Sequence, residues 1–220
     1  MLDILYEDNH LIAINKKAGD IVQGDKTGDT PLSDFVKAYI KKIYKKPGEV
    51  FLGTIHRLDR PTSGVVLYAR TSKALSRMNE QFRNKRVKKT YWAVAENAPP
   101  NTSGTLESYL QKNQKKNKSY VTKNDVGKHA ILEYKLLKKL DNFYHLEIKP
   151  KTGRHHQIRV QLANIGCKIK GDLKYGARRS NKDASIHLLA QKLEFIHPVK
   201  KEAISITAPA PKDSVWDACK

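Results

Sequence analysis

Apolar side chains first recur at helical spacing between Leu32 and Ile43. This 3.6-residue spacing places one apolar stripe on one face, which predicts an amphipathic helix. Thr30 can cap its start and Pro31 suits its first position, while Pro47 and the following glycine can stop it. The segment from Leu32 to Ile43 is therefore predicted to pack one side against a core.

Two more helices are predicted further along the chain. One begins near Thr71, and the other begins after Gly153 and ends at Gly166. Their predicted buried positions are Leu75, Met78 and Phe82 in the first, and Ile158, Leu162 and Ile165 in the second.

Short apolar or alternating runs between these helices predict strands. They lie at 4–6, 11–15, 64–69, 90–95, 131–137, 143–149, 193–196 and 203–207. Many strands with few helices and no regular alternation favour an α+β fold with a largely antiparallel sheet. Residues 97–128 carry few apolar side chains, so we expect mostly loop or an irregular, mobile ribbon there, and a candidate lobe boundary within a single domain, 1–220.

Charge then narrows the class of partner. The 220 residues carry 42 Lys and Arg against 22 Asp and Glu, a formal charge of +20 with a pI near 9.8. Such an excess attracts polyanions, and clusters at 83–89 and 112–118 suit phosphate contacts. Nucleic acid is the predicted partner, although a general surface preference for lysine is the alternative.

The cysteines and the apolar runs indicate the compartment. Cys167 and Cys219 are far apart, so neither a disulfide framework nor a cysteine zinc site is predicted. No apolar run approaches the roughly 20 residues that span a bilayer. A soluble, cytoplasmic protein is expected.

The segment 56–64 concentrates polar side chains between two apolar runs. Asp59 has Arg57 and Arg60 beside it, which should keep its carboxylate ionised. A rigidly held carboxylate on a loop can act as a nucleophile or a base. A capped turn with a local ion pair explains the same residues, and composition alone leaves both readings open.

A second polar cluster occupies 151–159. Helical spacing would place His155 and Arg159 on one side, near a positive helix N-terminus that favours phosphate. His155 and His156 could suggest a metal, but they would point in different directions and no second ligand motif stands nearby. No metal site is predicted.

Taken together, these segments resemble the RluA-type family of ribosomal and transfer RNA pseudouridine synthases. The resemblance runs from about Ile4 to Pro209 and implies that family's catalytic fold, with a central active-site cleft. The matching residues are His56-Arg57-Leu58-Asp59 with Thr62-Ser63-Gly64, Thr152-Gly153-Arg154 with His156-Gln157-Ile158-Arg159, Gly171-Asp172 with Tyr175, and Lys89-Thr90-Tyr91-Trp92.

The resemblance implies isomerisation of uridine without a cofactor or metal. Asp59 would be the essential carboxylate, acting either as a covalent nucleophile or as a base toward a ribose proton. Arg159 would pair with Asp59, and Tyr91 would stack on the target base and assist the final proton removal from C5.

The same resemblance implies contacts with structured RNA, ribosomal or transfer RNA or both. The target base must be flipped out, and Arg57 would occupy the space it leaves. The other predicted RNA contacts, which include the phosphate contacts, are Lys16, His56, Lys88, Lys89, Arg154 and His156.

Three departures from the family pattern are visible. Lys17 replaces the usual proline after Asn15-Lys16, and Leu188 replaces a common alanine beside His187. The S4-like RNA-binding module that many relatives carry before this domain is not expected, so the domain's own charge would supply RNA affinity. A monomer is expected.

Two competing functions remain open. The chain could be a catalytically inactive RNA-binding or ribosome-assembly module of the same fold. It could also be a metal-dependent hydrolase that uses His56 and Asp59, although supporting ligands are missing from the sequence.

Overall fold

The chain forms two compact units. A computed structural model describes residues 2–24, 28–123 and 126–220. The first unit comprises Met1–Lys88 and Ala190–Pro209, and the second comprises Lys89–Leu189 and Ala210–Lys220. The segment 97–128, predicted as a candidate lobe boundary, lies within the second unit.

The first unit contains a sheet and two helices. Its strands pair in the order β1-β2-β4-β10, with β3 on β4 and β11 on β10. The pairs β1–β2, β2–β4, β3–β4 and β10–β11 are antiparallel. The elements are β1 (Ile4–Glu7), β2 (Leu11–Lys16), α1 (Leu32–Ile43), β3 (Gly53–Thr54), β4 (Ser63–Ala69), α2 (Ser72–Arg83), β10 (Leu188–Ile196, whose first two residues belong to the second unit) and β11 (Ala203–Thr207).

Helix α1 has the predicted apolar face, but fewer of its apolar side chains are buried than the pattern predicted. Val36 and Ile40 are buried in one core cluster with β2 and β4, whereas Phe35 and Ile43 stay exposed. The predicted Thr30 cap is wrong, because Pro31 is the N-cap residue and makes no side-chain cap bond. Helix position therefore depends on burial of the stripe more than on capping.

Helix α2 forms where it was predicted, although Leu75 and Phe82, which were predicted to be buried, are half-buried. The Thr71 side chain accepts a hydrogen bond from the Ala74 backbone N–H at 3.2 Å, which satisfies one donor of the first turn. Ala74 and Met78 are fully buried. Helix α2 thus covers β3 and β4, the two strands that flank segment 56–62.

The second unit is built on a five-stranded antiparallel sheet in the order β5-β9-β8-β6-β7. Its core cluster combines side chains of this sheet with Ile158 and Leu162 of a helix. The elements are β5 (Lys88–Ala95, whose first residue belongs to the first unit), β6 (Ser103–Asn113), β7 (Lys118–Thr122), β8 (Lys128–Lys139), β9 (Tyr144–Pro150), α3 (Gln157–Asn164) and α4 (Ser214–Ala218). The α+β class is confirmed.

The loop predicted for 97–128 is wrong where β6 and β7 form, and the alternative, an irregular ribbon, is replaced by a regular hairpin. Strands β6 and β7 form an antiparallel hairpin at one end of the strand order, with Leu110 paired to Val121. Only Leu110 and Ser119 are buried among the residues of these two strands. A hairpin with so few buried positions has a polar sequence, which is why its composition indicated a loop.

The C-terminal helix α4 was not predicted. Asp213 caps it by accepting hydrogen bonds from the Val215 and Trp216 backbone N–H groups, both at 2.9 Å. Trp216 is buried and stacks on the His187 ring, with centroids 5.4 Å apart. Helix α4 therefore packs on the rest of the second unit through the Trp216 side chain.

Among the described residues, no helix combines the length and the apolar character that crossing a membrane requires.

His145 lies in an aromatic cluster with Trp92 and Trp216. Its ring meets both indoles edge-on, at centroid distances of 5.1 and 6.3 Å. It is 3 % exposed, and neither ring nitrogen has a hydrogen-bond partner among the described residues. Burial, with a smaller effect of Lys138, lowers the pKa of His145 to about 4.

We expect His145 to make the fold sensitive to acid. Below pH 6.5 the unfolded chain binds a proton that the folded His145 accepts only near pH 4, so stability falls as the pH is lowered through this window. In His145→Phe, the stability lost between about pH 7 and about pH 5 should be smaller by about 2 kcal/mol. Urea unfolding at both pH values measures it, and equal losses in the two proteins would contradict the expectation.

Candidate active site

Segment 56–62 is tied to its own unit through backbone carbonyls. The Asp59 carbonyl accepts from the Thr62 N–H at 3.0 Å, and the Arg60 carbonyl accepts from the Gly19 N–H at 2.9 Å. Asp59 itself is half-buried, at the point where the chain approaches β4. The carboxylate predicted as catalytic is thus carried by a pinned loop.

Gly64 explains why this motif ends in glycine. Its φ is +114°, a region that side chains disfavour, and a Cβ there would lie 2.3 Å from the Ala190 carbonyl oxygen. Any larger residue would push β4 away from β10. The last position of the motif therefore allows the backbones of β4 and β10 to pack closely, immediately after the loop that carries Asp59.

Lys16 binds backbone carbonyls of the same loop, and its predicted contact with RNA phosphate stays a prediction that its burial does not support. Its side chain is 1 % exposed. The ammonium donates to three backbone carbonyl oxygens: Lys17 at 2.9 Å, Arg60 at 3.0 Å and Thr62 at 2.7 Å. All three of its donors are engaged, so Lys16 is a positioning residue for the segment that carries Asp59.

Burial lowers the pKa of Lys16 to about 8, while the carboxylates of Asp20 and Asp59 favour its charged form. The carboxylate of Asp59 therefore helps to keep Lys16 charged at neutral pH.

We expect Lys16→Met to loosen the loop without changing phosphate binding. Three carbonyls lose their donor, so unfolding free energy should fall by about 1–3 kcal/mol, and turnover should fall with it. The salt dependence of RNA affinity should stay as in the wild type, since no phosphate contact is removed. Lys17→Met, at the exposed neighbouring position, is the matched control and should change stability by less than about 0.5 kcal/mol. A shallower salt dependence in Lys16→Met would contradict the structural role.

His56 also has a structural contact. Its Nε2 accepts the Leu67 backbone N–H at 3.1 Å, and its ring stacks on Phe82 of α2 with centroids 5.3 Å apart. These contacts anchor the start of the loop to β4 and α2. The predicted RNA contact of His56 stays a prediction, as does that of Arg57, whose side chain is exposed.

In the second unit, Arg159 of α3 forms a buried, two-pronged ion pair with Asp172. The Nε and Nη2 groups donate to the two carboxylate oxygens at 2.7 and 2.8 Å, and both side chains are at most 5 % exposed. The guanidinium carbon also lies 5.1 Å from the centre of the Tyr175 ring. Arg159 is thus held rigidly by its own unit, and its predicted pairing with Asp59 stays a prediction.

The turn before α3 differs from its prediction. The helix begins at Gln157, and His156 adopts a left-handed conformation with φ +53°. The Gln157 side-chain oxygen accepts from the Thr152 hydroxyl and the Arg154 N–H, at 2.8 and 2.9 Å. His155 therefore precedes the helix, and the helical spacing that placed it beside Arg159 does not apply.

His156 is buried, and its Nδ1 lies 2.9 Å from the Tyr175 hydroxyl. Burial, followed by the charge of Arg159, lowers the pKa of His156 to about 2, so the ring is neutral at physiological pH. The prediction that it contacts RNA is not supported by this burial. Arg154 is exposed, and its Nε donates to the His129 carbonyl at 2.8 Å.

Tyr91 lies on β5, opposite Ile148 of β9, and is half-buried against the core cluster of the second unit. Lys88 beside it is exposed. The Lys89 ammonium lies 3.5 Å from the Thr152 carbonyl oxygen, and burial lowers its pKa. Lys88 thus stays accessible to a phosphate, whereas Lys89 already contacts the turn before α3.

Comparison with known proteins identifies the family. The model of the RNA pseudouridylate synthase family matches residues 10–164. The chain belongs to this family. Its chemistry is isomerisation, so the enzyme class predicted from the motifs is confirmed.

Individual members of the RNA pseudouridylate synthase family extend this result. The chain is 34% identical to ribosomal large subunit pseudouridine synthase D of Xylella fastidiosa, over 96% of this chain and 67% of that protein. It is 37% identical to synthase C of Buchnera aphidicola from Schizaphis graminum, over 94% and 67%. The chain therefore spans about two thirds of these relatives.

Two solved structures show the same fold. The human protein RNA pseudouridylate synthase domain containing 4 has a TM-score of 0.80 at 24% identity, covering 99% of this chain and 91% of that one. The human domain containing 1 protein has a TM-score of 0.77 at 23% identity, covering 100% and 87%. At this identity the likeness establishes the fold alone.

Sequence reasoning assigned no role to Asp172 and Tyr175, although it singled out their motif. Gly171 explains the local geometry: its φ is +88°, and a Cβ there would lie 2.7 Å from the Ser185 carbonyl oxygen. The tight turn presents Asp172 to Arg159. The signal for this ion pair in the sequence was the presence of an acidic residue, Asp172, in one family motif and an arginine, Arg159, in another.

Metal binding has no visible basis in the described parts of the chain. Within residues 2–24, 28–123 and 126–220, no group of three His, Cys, Asp or Glu side chains is placed to hold an ion. His56 and Asp59 therefore lack a third ligand of these types there.

Proposed function

We propose that this chain converts uridine to pseudouridine in structured RNA with Asp59 as its catalytic carboxylate. The supporting observation is the carboxylate's setting: it is half-buried on a loop whose carbonyls are held by the buried Lys16 ammonium. Such a carboxylate stays aligned without a large entropic cost at each turnover. Family membership supplies the reaction class.

The proposed reaction conserves every atom of the substrate. The C1′–N1 bond breaks, the uracil turns within the site, and C1′ bonds to C5. The C5 proton then leaves and N1 ends protonated, so no external oxidant or reductant is needed. Asp59 acts either on C1′ or the base as a nucleophile, or on a ribose proton as a base.

Arg159 and Tyr91 are proposed as the partners of Asp59. The rigid bidentate contact with Asp172 orients the Arg159 guanidinium, which is suited to stabilise a second carboxylate. Tyr91 offers an aromatic face on a core strand, suited to stacking on a uracil.

The proposed substrate is ribosomal RNA of the large subunit, with transfer RNA as an additional candidate. Relatives at 34–37% identity are named for the large ribosomal subunit. The charge of +20 supports binding to a polyanion, and a looped-out target lowers the cost of base flipping. Arg57 is proposed to fill the space left by the flipped base.

We further propose a cytoplasmic, monomeric enzyme. Cys167 and Cys219 are both free thiols, as expected in a reducing compartment. Size-exclusion chromatography with light scattering tests the monomer.

Incubation with total RNA, followed by carbodiimide mapping of pseudouridine, tests the proposed function. New adducts at discrete uridines are expected. An inactive RNA-binding or assembly module would leave none, while still binding RNA. Repeating the map in cells with and without the gene identifies the target position.

A further inference from the structure

The hairpin of β6 and β7 ends in a basic tip that the proposed mechanism does not use. Residues 108–123 contain five lysines and no aspartate or glutamate. All residues from 111 to 117 are exposed. The lysines are Lys112, Lys115, Lys116, Lys118 and Lys123.

Tyr120 places an aromatic ring among these cations. Its side chain is 39 % exposed, which is unusual for a large aromatic on a strand. It lies opposite Gln111, and the Lys118 ammonium is 5.5 Å from the ring centre. Tyr120 and Gln111 border a hollow of about 280 Å³ together with Lys112 and Asn113.

A second hollow, of about 390 Å³, lies between the hairpin and the turn before α3. Lys112 and Lys128 contribute cations from the strands, and Arg154 contributes one from the turn. Lys112 borders both hollows. Positive charge therefore continues from the ring of Tyr120 to the segment that precedes Arg159.

The tip is anchored on one side by β7. The Ser119 N–H donates to the Tyr175 hydroxyl at 2.9 Å, and the Ser119 hydroxyl donates to the His155 carbonyl at 2.8 Å. Lys174 also donates to the Asn117 carbonyl at 3.2 Å. A ligand bound at the tip would thus be placed at a defined distance from the Arg159–Asp172 pair of the same unit.

Electrostatics support convergence of cations at this place. After burial, the charges of Arg159, His155, Lys174 and Lys112 all lower the pKa of His156. Positive potential from the hairpin is therefore felt at the base of α3, where an RNA phosphate would relieve it.

We infer that the hairpin tip binds an unpaired RNA strand. One base of the strand stacks on Tyr120, and the phosphates of the strand are bound by Lys112, Lys115 and Lys116. A positively charged surface with an exposed aromatic ring is the combination that binds single strands with little sequence preference. A duplex would leave Tyr120 unused, because its bases already stack on each other. The inference rests on the proposed function for the identity of the polyanion.

Fluorescence anisotropy with a labelled oligouridine of roughly 12 nucleotides tests the stacking contact. Tyr120→Ala should weaken binding about tenfold, whereas Tyr120→Phe, which keeps the ring, should stay within about twofold. Because the side chain is exposed, both variants should unfold at the wild-type temperature. Unchanged binding by Tyr120→Ala would overturn the inference.

The lysines are tested by charge removal at matched positions. Replacing Lys112, Lys115 and Lys116 by Gln should reduce the slope of log affinity against log salt by about 2, at roughly 0.7 for each single-strand phosphate. The control removes three exposed lysines of β8 in the same unit, Lys135, Lys138 and Lys139, and should leave the slope nearly unchanged. Equal effects of both triple variants would indicate general charge and overturn the inference.

A duplex of the same length separates the two kinds of RNA. If the tip triple variant weakens duplex binding as strongly as single-strand binding, and Tyr120→Ala weakens neither, the single-strand assignment is wrong. Pseudouridine formation by the wild type is measured in parallel. An active wild type with unaffected Tyr120→Ala refutes this inference alone, while an inactive wild type with the expected binding losses refutes the proposed function alone.

Discussion

Asp59→Asn is expected to lower pseudouridine formation on the order of 10³-fold or more, because an amide can act neither as a nucleophile nor as a base at this position. The amide has nearly the same shape, so the loop held by Lys16 should keep its conformation. Affinity for RNA should stay within about threefold, since phosphate contacts dominate it. Carbodiimide mapping and anisotropy on one RNA preparation measure both quantities.

Asp20→Asn is the matched control for the electrostatic part of this change. Asp20 is exposed, and its carboxylate supports the charge of Lys16 more strongly than that of Asp59 does. If Asp59 acted only by supporting Lys16, the two variants would lose similar activity. Near-wild-type turnover in Asp20→Asn beside an inactive Asp59→Asn assigns the loss to chemistry, and full activity in Asp59→Asn would refute the catalytic assignment.

Local patterns predicted most of the fold because most elements bury a regular stripe. Helices α1 and α2 and strand β9 place apolar side chains at their own period, whereas β2 and β4 are nearly continuous buried runs, and both patterns are visible in neighbouring residues. The β6–β7 hairpin was missed for the same reason, since an edge element with two buried residues has almost no stripe. The pattern of apolar residues therefore reports which side chains are buried, and it reveals a strand only when the strand buries one face.

The sequence indicated which residues belong to the candidate site, but it did not predict which atoms these residues contact. Asp59 and Arg159 stand out because charged residues sit inside apolar surroundings. The family resemblance assigned Lys16 to RNA, whereas its ammonium contacts carbonyls 44 and 46 residues away. Contacts of that range follow from tertiary packing, which no local spacing encodes.

Asp172→Ala is expected to produce the largest loss of stability among the changes considered. Both members of the Arg159–Asp172 pair are buried, and removing one leaves the other charge without its bidentate partner. Breaking such a pair costs about 3–5 kcal/mol, which lowers the melting temperature of a chain of this size by roughly 6–20 °C. Urea unfolding and thermal melting measure it directly.

Glu133→Ala in the same unit provides the matched control. Glu133 forms an ion pair with Lys151 at 2.8 Å, a length close to that of the buried pair, but both side chains are about half exposed. Water already solvates these charges, so the loss should stay below about 1 kcal/mol. If the two variants were equally stable, burial would not be what gives the Arg159–Asp172 pair its strength, and Arg159 would have to be oriented by other contacts. If Asp172→Ala is destabilised as expected, its residual activity at low temperature, where the chain remains folded, reports how far catalysis depends on the orientation of Arg159 that Asp172 provides.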